Sequence, residues 1–207
     1  MKHKVTVVDY GMGNLWSVTS ALRYLGAECD FSNDPHAIAQ ADTLLLPGVG
    51  SFRKAMQVLD STGIADAVRE AVSVRRRKIL GICLGMQLLA ESSTEDGPSD
   101  GLGLIPGRIE RFPAANLGAF KVPHIGFNWV SPTNDSALFS GLEGGGDFYF
   151  VHSYRLKYEG QPGCSGICRY GEDFVAACAS ENVHATQFHP EKSQANGLRL
   201  LTNFLAV

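Results

Sequence analysis

Lys78-Ile79-Leu80-Gly81-Ile82-Cys83-Leu84-Gly85-Met86-Gln87-Leu88-Leu89 is the stretch that decides the fold. The apolar run Ile79, Leu80, Ile82 reads as a buried strand, and Leu84, Leu88 and Leu89 begin a helix. Between them Cys83 stands flanked by Gly81 and Gly85, the pattern of a nucleophile elbow, in which the reactive side chain sits on a strained strand-to-helix turn. Glycines are needed there because any side chain at the flanking positions would collide with the packed strand and helix. The turn places the thiol at the carboxyl edge of a sheet and at the positive end of a helix, where thiolates are favoured. A buried core cysteine fits G-x-C-x-G about as well.

A second stretch, Thr186-Gln187-Phe188-His189-Pro190-Glu191-Lys192-Ser193, favours the nucleophile. Pro190 biases the residue before it toward extended backbone, and in extended chain i and i+2 share a side, so His189 and Glu191 are expected to face one way together. A carboxylate beside an imidazole fixes its tautomer and stabilises the imidazolium, the orienting role in a nucleophile, base and orienter set.

Composition bounds the alternatives. The 207 residues are 44% hydrophobic with a formal net charge of -3, which suits a single domain spanning 1–207 and leaves no electrostatic footprint for nucleic acid. Arg75-Arg76-Arg77-Lys78, the one basic cluster, reads as a solvated helix end. No secretory leader or membrane-spanning run is expected. Five scattered cysteines (Cys29, Cys83, Cys164, Cys168, Cys178) without C-x-x-C spacing imply a reducing, cytoplasmic setting, with no disulfide framework, metal site or cofactor.

Outward from the elbow, strand and helix alternate. Val5 to Asp9, Glu28 to Phe31 and Thr43 to Leu46 read as strands; Leu15 to Leu25, Pro35 to Gln40 and the Ser51-capped segment from Phe52 read as helices. This predicts a doubly wound, mostly parallel open sheet with helices on both faces, whose sites lie at the carboxyl ends of the strands. Pro47-Gly48-Val49-Gly50 falls at such an end, so the Val49 and Gly50 amides, with that of Leu84, are candidates for an oxyanion hole; an ordinary turn accounts for the glycines equally. From Gly103 onward, Arg108 to Phe112, Phe127 to Val130, Asp147 to His152, Ser165 to Tyr170 and Phe174 to Ala179 read as added antiparallel strands. A helix over Gln194 to Leu205 closes the chain.

G-I-C-L-G-M-Q at 81–87 together with Q-F-H-P-E-K-S at 187–193 resembles the class I (triad) glutamine amidotransferases, over nearly the whole chain. D-Y-G-M-G-N at 9–14, P-G-V-G at 47–50, V-P-H-I-G-F-N at 122–128 and F-Y-F-V-H-S-Y at 148–154 resemble one branch, the glutaminase subunits of imidazole glycerol phosphate synthases. The resemblance implies a flavodoxin-like core, a Cys83, His189, Glu191 triad, and glutamine as substrate. It places Gln87, Glu95, Ser153 and Tyr154 on the substrate, although Glu95 by itself reads as a solvated loop carboxylate. It further implies a (β/α)₈ cyclase subunit as partner, with Asn14, Phe127, Asn128, Tyr149 and Lys192 at the interface and ammonia passage. Phe127 stands where that branch usually carries tryptophan. Two other readings remain: an amidotransferase subunit of another synthase, and a γ-glutamyl hydrolase of the same fold.

Overall fold

A computed structural model of the chain describes residues 3–113 and 120–207. Five strands run parallel side by side in the order β2 (Glu28–Ser32), β1 (Lys4–Val8), β3 (Thr43–Gly48), β4 (Lys78–Cys83), β13 (Val183–Thr186). Their inward residues, among them Val5, Val7, Leu44, Leu45, Ile79 and Leu80, are wholly buried. The central strands β3 and β4 are buried along nearly their whole length and apolar almost throughout, which is why these two segments were legible as unbroken runs.

Two hydrophobic layers cover the parallel sheet. Helices α2 (Pro35–Gln40), α3 (Phe52–Ser61), α4 (Ile64–Arg69) and α5 (Leu84–Leu89) pack one face through Ile38, Phe52, Leu59, Val68 and Leu88. Helices α1 (Leu15–Tyr24) and α6 (Gln194–Ala206) pack the other through Val18, Leu22, Leu200, Leu201 and Phe204. Asp34 and Ser51 cap α2 and α3 by accepting the amides of His36 and Lys54.

Beyond β13 the sheet becomes mixed. It continues through β12 (Glu172–Ser180), β10 (Tyr154–Lys157), β7 (Ile105–Arg111), β5 (Ala90–Ser93) and β6 (Ser99–Asp100). A branch of β11 (Cys164–Tyr170), β8 (His124–Pro132) and β9 (Gly146–His152) pairs antiparallel and folds Phe148 and Phe150 into the second layer with Phe174 of β12. The expected antiparallel addition is therefore present, with one parallel pair, β5 beside β7, inside it.

Two sequence expectations change. A helical segment over 64–74, ending in a π-helical turn at Glu70–Val74, precedes the basic cluster; its four cations are partnered: Arg75 with Glu70, Arg76 with Glu181, Arg77 with Asp42, and Lys78 with the carbonyls of Phe204, Leu205 and Val207. Strands β5, β6, β10 and β13 were not foreseen. Among the described residues no helix is long and apolar enough to cross a membrane.

Candidate active site

Topology assembles the site at one edge. Strand β4 ends at Cys83; on one side Gly48 of β3 stands in register with Cys83, and on the other Thr186 of β13 stands opposite Ile82, so the chain leaving β13 carries His189 back toward the sulfur. The candidate nucleophile, the 47–50 turn and the candidate base thus come from three adjacent parallel strands.

The elbow has the strained backbone expected of it. Cys83 has φ 56° and ψ -111°, a left-handed φ that a residue with a side chain reaches only at a cost of about 1–3 kcal/mol. Its flanking glycines are obligatory: a Cβ on Gly85 would lie 1.7 Å from the carbonyl oxygen of Leu46, and one on Gly81 would lie 2.8 Å from the carbonyl oxygen of Gly85. Cys83 is only 7% exposed, so the thiol is less open than its place at the sheet edge suggested. The following helix α5 spans only six residues, so its field is weak beside the direct contacts of the site.

His189 and Glu191 meet, though not for the reason inferred. Residues Pro190–Lys192 form a 3₁₀ turn, not extended chain, and the turn brings Glu191 Oε1 to 2.8 Å from His189 Nδ1. Both side chains are buried, at 5% and 3% exposure. The His189 backbone is pinned as well: its amide donates to the Tyr149 carbonyl (2.9 Å) and its carbonyl accepts from Ser193 Oγ (2.6 Å). With Nδ1 on the carboxylate, Nε2 is left buried without a hydrogen-bond partner. Burial pulls the His189 pKa down, but contact with Cys83 and Glu191 and their charges outweigh it and raise the value to about 9.

The sulfur of Cys83 lies 3.9 Å from the Val151 carbonyl and receives the amide of buried Gln187 at 3.9 Å. Gln187 Oε1 accepts from Gln87 Nε2 (3.0 Å), which also donates to the Tyr154 carbonyl (3.0 Å). Both hydrogens of Gln87 are therefore committed to protein, and only its carbonyl oxygen remains to meet a ligand. Gln187 was not singled out from the sequence; its place two residues before His189, just past the buried strand β13, is the signal that could have found it.

A cavity of about 320 Å³ opens over the sulfur, lined by Val49, Gly50, Leu84, Gln87, Glu95, Ser153, Tyr154 and His189 among others. All four expected substrate-contact residues are in its wall. Glu95 is half-buried rather than a solvated loop carboxylate, and accepts the Phe52 amide at the start of α3 (2.8 Å). Burial raises its pKa, the Phe52 amide opposes this, and Asp96 adds to the rise.

The turn at 47–50 departs from expectation. The Val49 amide donates to the Met12 carbonyl (3.4 Å), so it is turned to the 9–14 loop and is not available to a developing oxyanion in this arrangement. Tyr10 anchors the same turn by donating its hydroxyl to the Pro47 carbonyl (3.0 Å). Gly50 holds φ 104°, outside the reach of other residues without strain.

The pattern described as glutamine amidotransferase class-I matches residues 6–207. The chain belongs to the class-I glutamine amidotransferases. This amidotransferase is 44% identical over 204 residues to the imidazole glycerol phosphate synthase subunit HisH of Acinetobacter baylyi, covering 98% of the chain and 97% of that protein. It is 46% identical to the HisH subunit of Geobacillus thermodenitrificans, with 98% and 95% covered. It also matches, at 46% identity over 97% of its length, 34% of the imidazole glycerol phosphate synthase hisHF of Arabidopsis thaliana. Among solved structures it shares its fold with PurLQS from Thermotoga maritima, at TM-score 0.73 and 18% identity, covering 100% and 99% of the two chains.

The residues expected at an interface fall into two groups on the amidotransferase. Phe127 and Tyr149 rings stand 5.6 Å apart, and the Lys192 ammonium lies 5.8 Å from the Tyr149 ring, one surface cluster beside the pinned His189. Asn14 is exposed and caps α1 by accepting the Ser17 amide (3.4 Å). Asn128, by contrast, turns its side chain inward, to His124 and the Arg169 carbonyl.

Proposed function

We propose that this chain is the glutaminase subunit of an imidazole glycerol phosphate synthase, cleaving glutamine to glutamate and ammonia for a (β/α)₈ cyclase subunit. The observation that carries the reading is the full-length likeness to HisH subunits joined to the convergence of Cys83, His189 and Glu191 on one cavity. The residue roles follow from chemistry. His189 Nε2 takes the Cys83 thiol proton, and the sulfur attacks the side-chain amide carbon of glutamine, forming a C–S bond as the carbonyl electrons move to oxygen. Leu84, first residue of α5, offers an amide with no intrahelical partner, and Val49 offers a second once its peptide turns away from Met12. Protonated His189 gives its Nε2 proton to the departing nitrogen as the C–N bond breaks, leaving a thioester. It then takes a proton from water, whose oxygen attacks the thioester carbon; the C–S bond breaks and glutamate leaves. Glu191 orients the ring throughout.

Ammonia released to water at neutral pH is protonated and no longer a nucleophile, so its use requires a sealed passage into the partner. The outer face of β8 fits that role: Ile125, Phe127 and Trp129 are 60%, 50% and 50% exposed on alternate positions. An apolar row of this kind marks an interaction surface. The Val49 amide, parked on Met12 of a loop that ends at exposed Asn14, is the element through which docking would switch turnover. The setting is cytoplasmic. Glutaminase assay of wild type and Cys83→Ala, with and without cyclase and its nucleotide ligand, tests this: glutamate is expected from wild type only, strongly stimulated by the liganded partner. Hydrolysis indifferent to the partner would instead identify a free-standing γ-glutamyl hydrolase.

A further inference from the structure

Two histidines that the mechanism does not use, His124 on β8 and His152 at the end of β9, are buried side by side at 2% and 6% exposure, His152 in the cavity wall and His124 behind it. His124 is stacked between Phe150 (centroids 4.7 Å apart) and Tyr170 (3.9 Å), and His152 packs on Phe112 and Phe174 (5.3 and 5.2 Å). Imidazoles placed this deep among rings are costly unless every nitrogen has a role.

Every nitrogen has one. His124 Nδ1 lies 3.0 Å from His152 Nε2, and His152 Nδ1 lies 2.8 Å from the Tyr154 carbonyl. His124 Nε2 lies 3.5 Å from Asn128 Nδ2. The ends of this row dictate its direction. A carbonyl only accepts, so His152 carries its proton on Nδ1, and Nε2 of the neutral ring must accept from His124 Nδ1–H. His124 Nε2 is then an acceptor, and Asn128 supplies the donor. The Asn128 amide cannot be reversed, because its Oδ1 accepts the Trp129 amide (2.8 Å) and its Nδ2 donates to the Arg169 carbonyl (3.4 Å). Obligate partners at both ends independently demand the same pair of tautomers. Burial keeps both rings neutral: it lowers the His124 pKa to about 4, and lowers that of His152 to about 3 against the opposing pull of the Tyr154 carbonyl.

The receiving end is in the cavity wall. The Tyr154 carbonyl that holds His152 also holds Gln87, which continues through Gln187 to the Cys83 sulfur. The donating end, Asn128, lies between exposed Phe127 and Trp129 on the strand assigned to the partner. We propose that His124 and His152 are positioning residues for glutamine cleavage, a one-directional hydrogen-bond chain that fixes the 152–154 wall of the pocket relative to the docking strand. The proposal rests on the glutaminase reading for its kinetic consequence and on geometry alone for its tautomers.

Nitrogen-15 NMR of the histidine-labelled chain tests the geometry without any substitution. Both rings are expected as Nδ1–H tautomers that do not titrate where ordinary histidines do; an Nε2–H form or an ordinary titration in either overturns the chain. In the complex with liganded cyclase, His152→Leu is expected to lower glutamine kcat/KM on the order of 100-fold, mainly through KM. His152→Asn, whose amide N–H stands where Nδ1–H stood, is expected to recover most of that loss. Equal losses in the two variants at equal thermal midpoints, or none, would overturn the positioning role. If His152→Leu does not fold, His124→Leu against His124→Asn applies the same criterion. A wild type silent with liganded cyclase would sink the glutaminase reading instead, while the ring tautomers still decide the chain.

Discussion

At the scale of single residues, the site is a set of groups held where their chemistry is costly: a cysteine in left-handed backbone, a buried imidazole and a buried carboxylate. The His189 pKa of about 9 lies above its ordinary 6.5, so the bound proton contributes stability fully below about pH 6.5, and that contribution is lost as pH rises through about 9. Urea midpoints of wild type and His189→Asn are therefore expected to converge over that window; profiles that stay parallel would contradict the assignment. Gly85→Ala forces a Cβ onto the Leu46 carbonyl oxygen, and we expect a loss of about 3 kcal/mol in urea denaturation, with no active elbow left. The candidate roles proposed for these groups were readable because a cysteine set between Gly81 and Gly85, in a chain that also carries His189 and Glu191, fits a nucleophile with its base far better than a core residue. What escaped was whatever depends on contacts between distant segments. Tyr10, His124 and His152 carry no local signature, since a histidine in a strand looks the same whether it is a lone core residue or part of a chain of partners.

At the scale of elements, the turn at 47–50 and the loop at 9–14 act as a pair, tied by Tyr10 to Pro47 and by Val49 to Met12. The glycines of the turn suggested an oxyanion donor from sequence, but the direction of a peptide plane is set by a partner loop some 37 residues away, so it was not legible there. Gly50→Ala penalises φ 104° by about 1–3 kcal/mol and crowds Met12. The resting turn is expected to loosen, raising unstimulated glutaminase and lowering the ratio of stimulated to unstimulated rate; an unchanged ratio would count against the switch. Elements with unbroken apolar runs or clear caps were foreseen, and those such as Val183–Thr186, with His184 inside, and Tyr154–Lys157 were not. Tyr154–Lys157 buries Arg155 by pairing it with Glu172, an arrangement that local hydrophobicity cannot reveal.

At the scale of the whole molecule, a parallel half supplies the candidate nucleophile and one side of the pocket, and an antiparallel half supplies the other side and an apolar outer face. The exposed row Ile125, Phe127, Trp129 is dispensable for the core, because these side chains point away from both hydrophobic layers. Ile125→Asp with Phe127→Asp is expected to weaken binding to the cyclase tenfold or more, about 1.4 kcal/mol, in a titration of labelled partner, with the thermal midpoint unchanged. Undiminished affinity would move the docking face elsewhere. The central claim, that Cys83 alone among five buried cysteines is the nucleophile, is tested most directly by labelling. The chain is treated with a diazoketone analogue of glutamine in the presence of liganded cyclase, and the modified peptide is mapped by mass spectrometry. One adduct, on Cys83, blocked by excess glutamine and matched by loss of glutaminase, is the expected result; modification of another cysteine, or full activity with Cys83 alkylated, would contradict it.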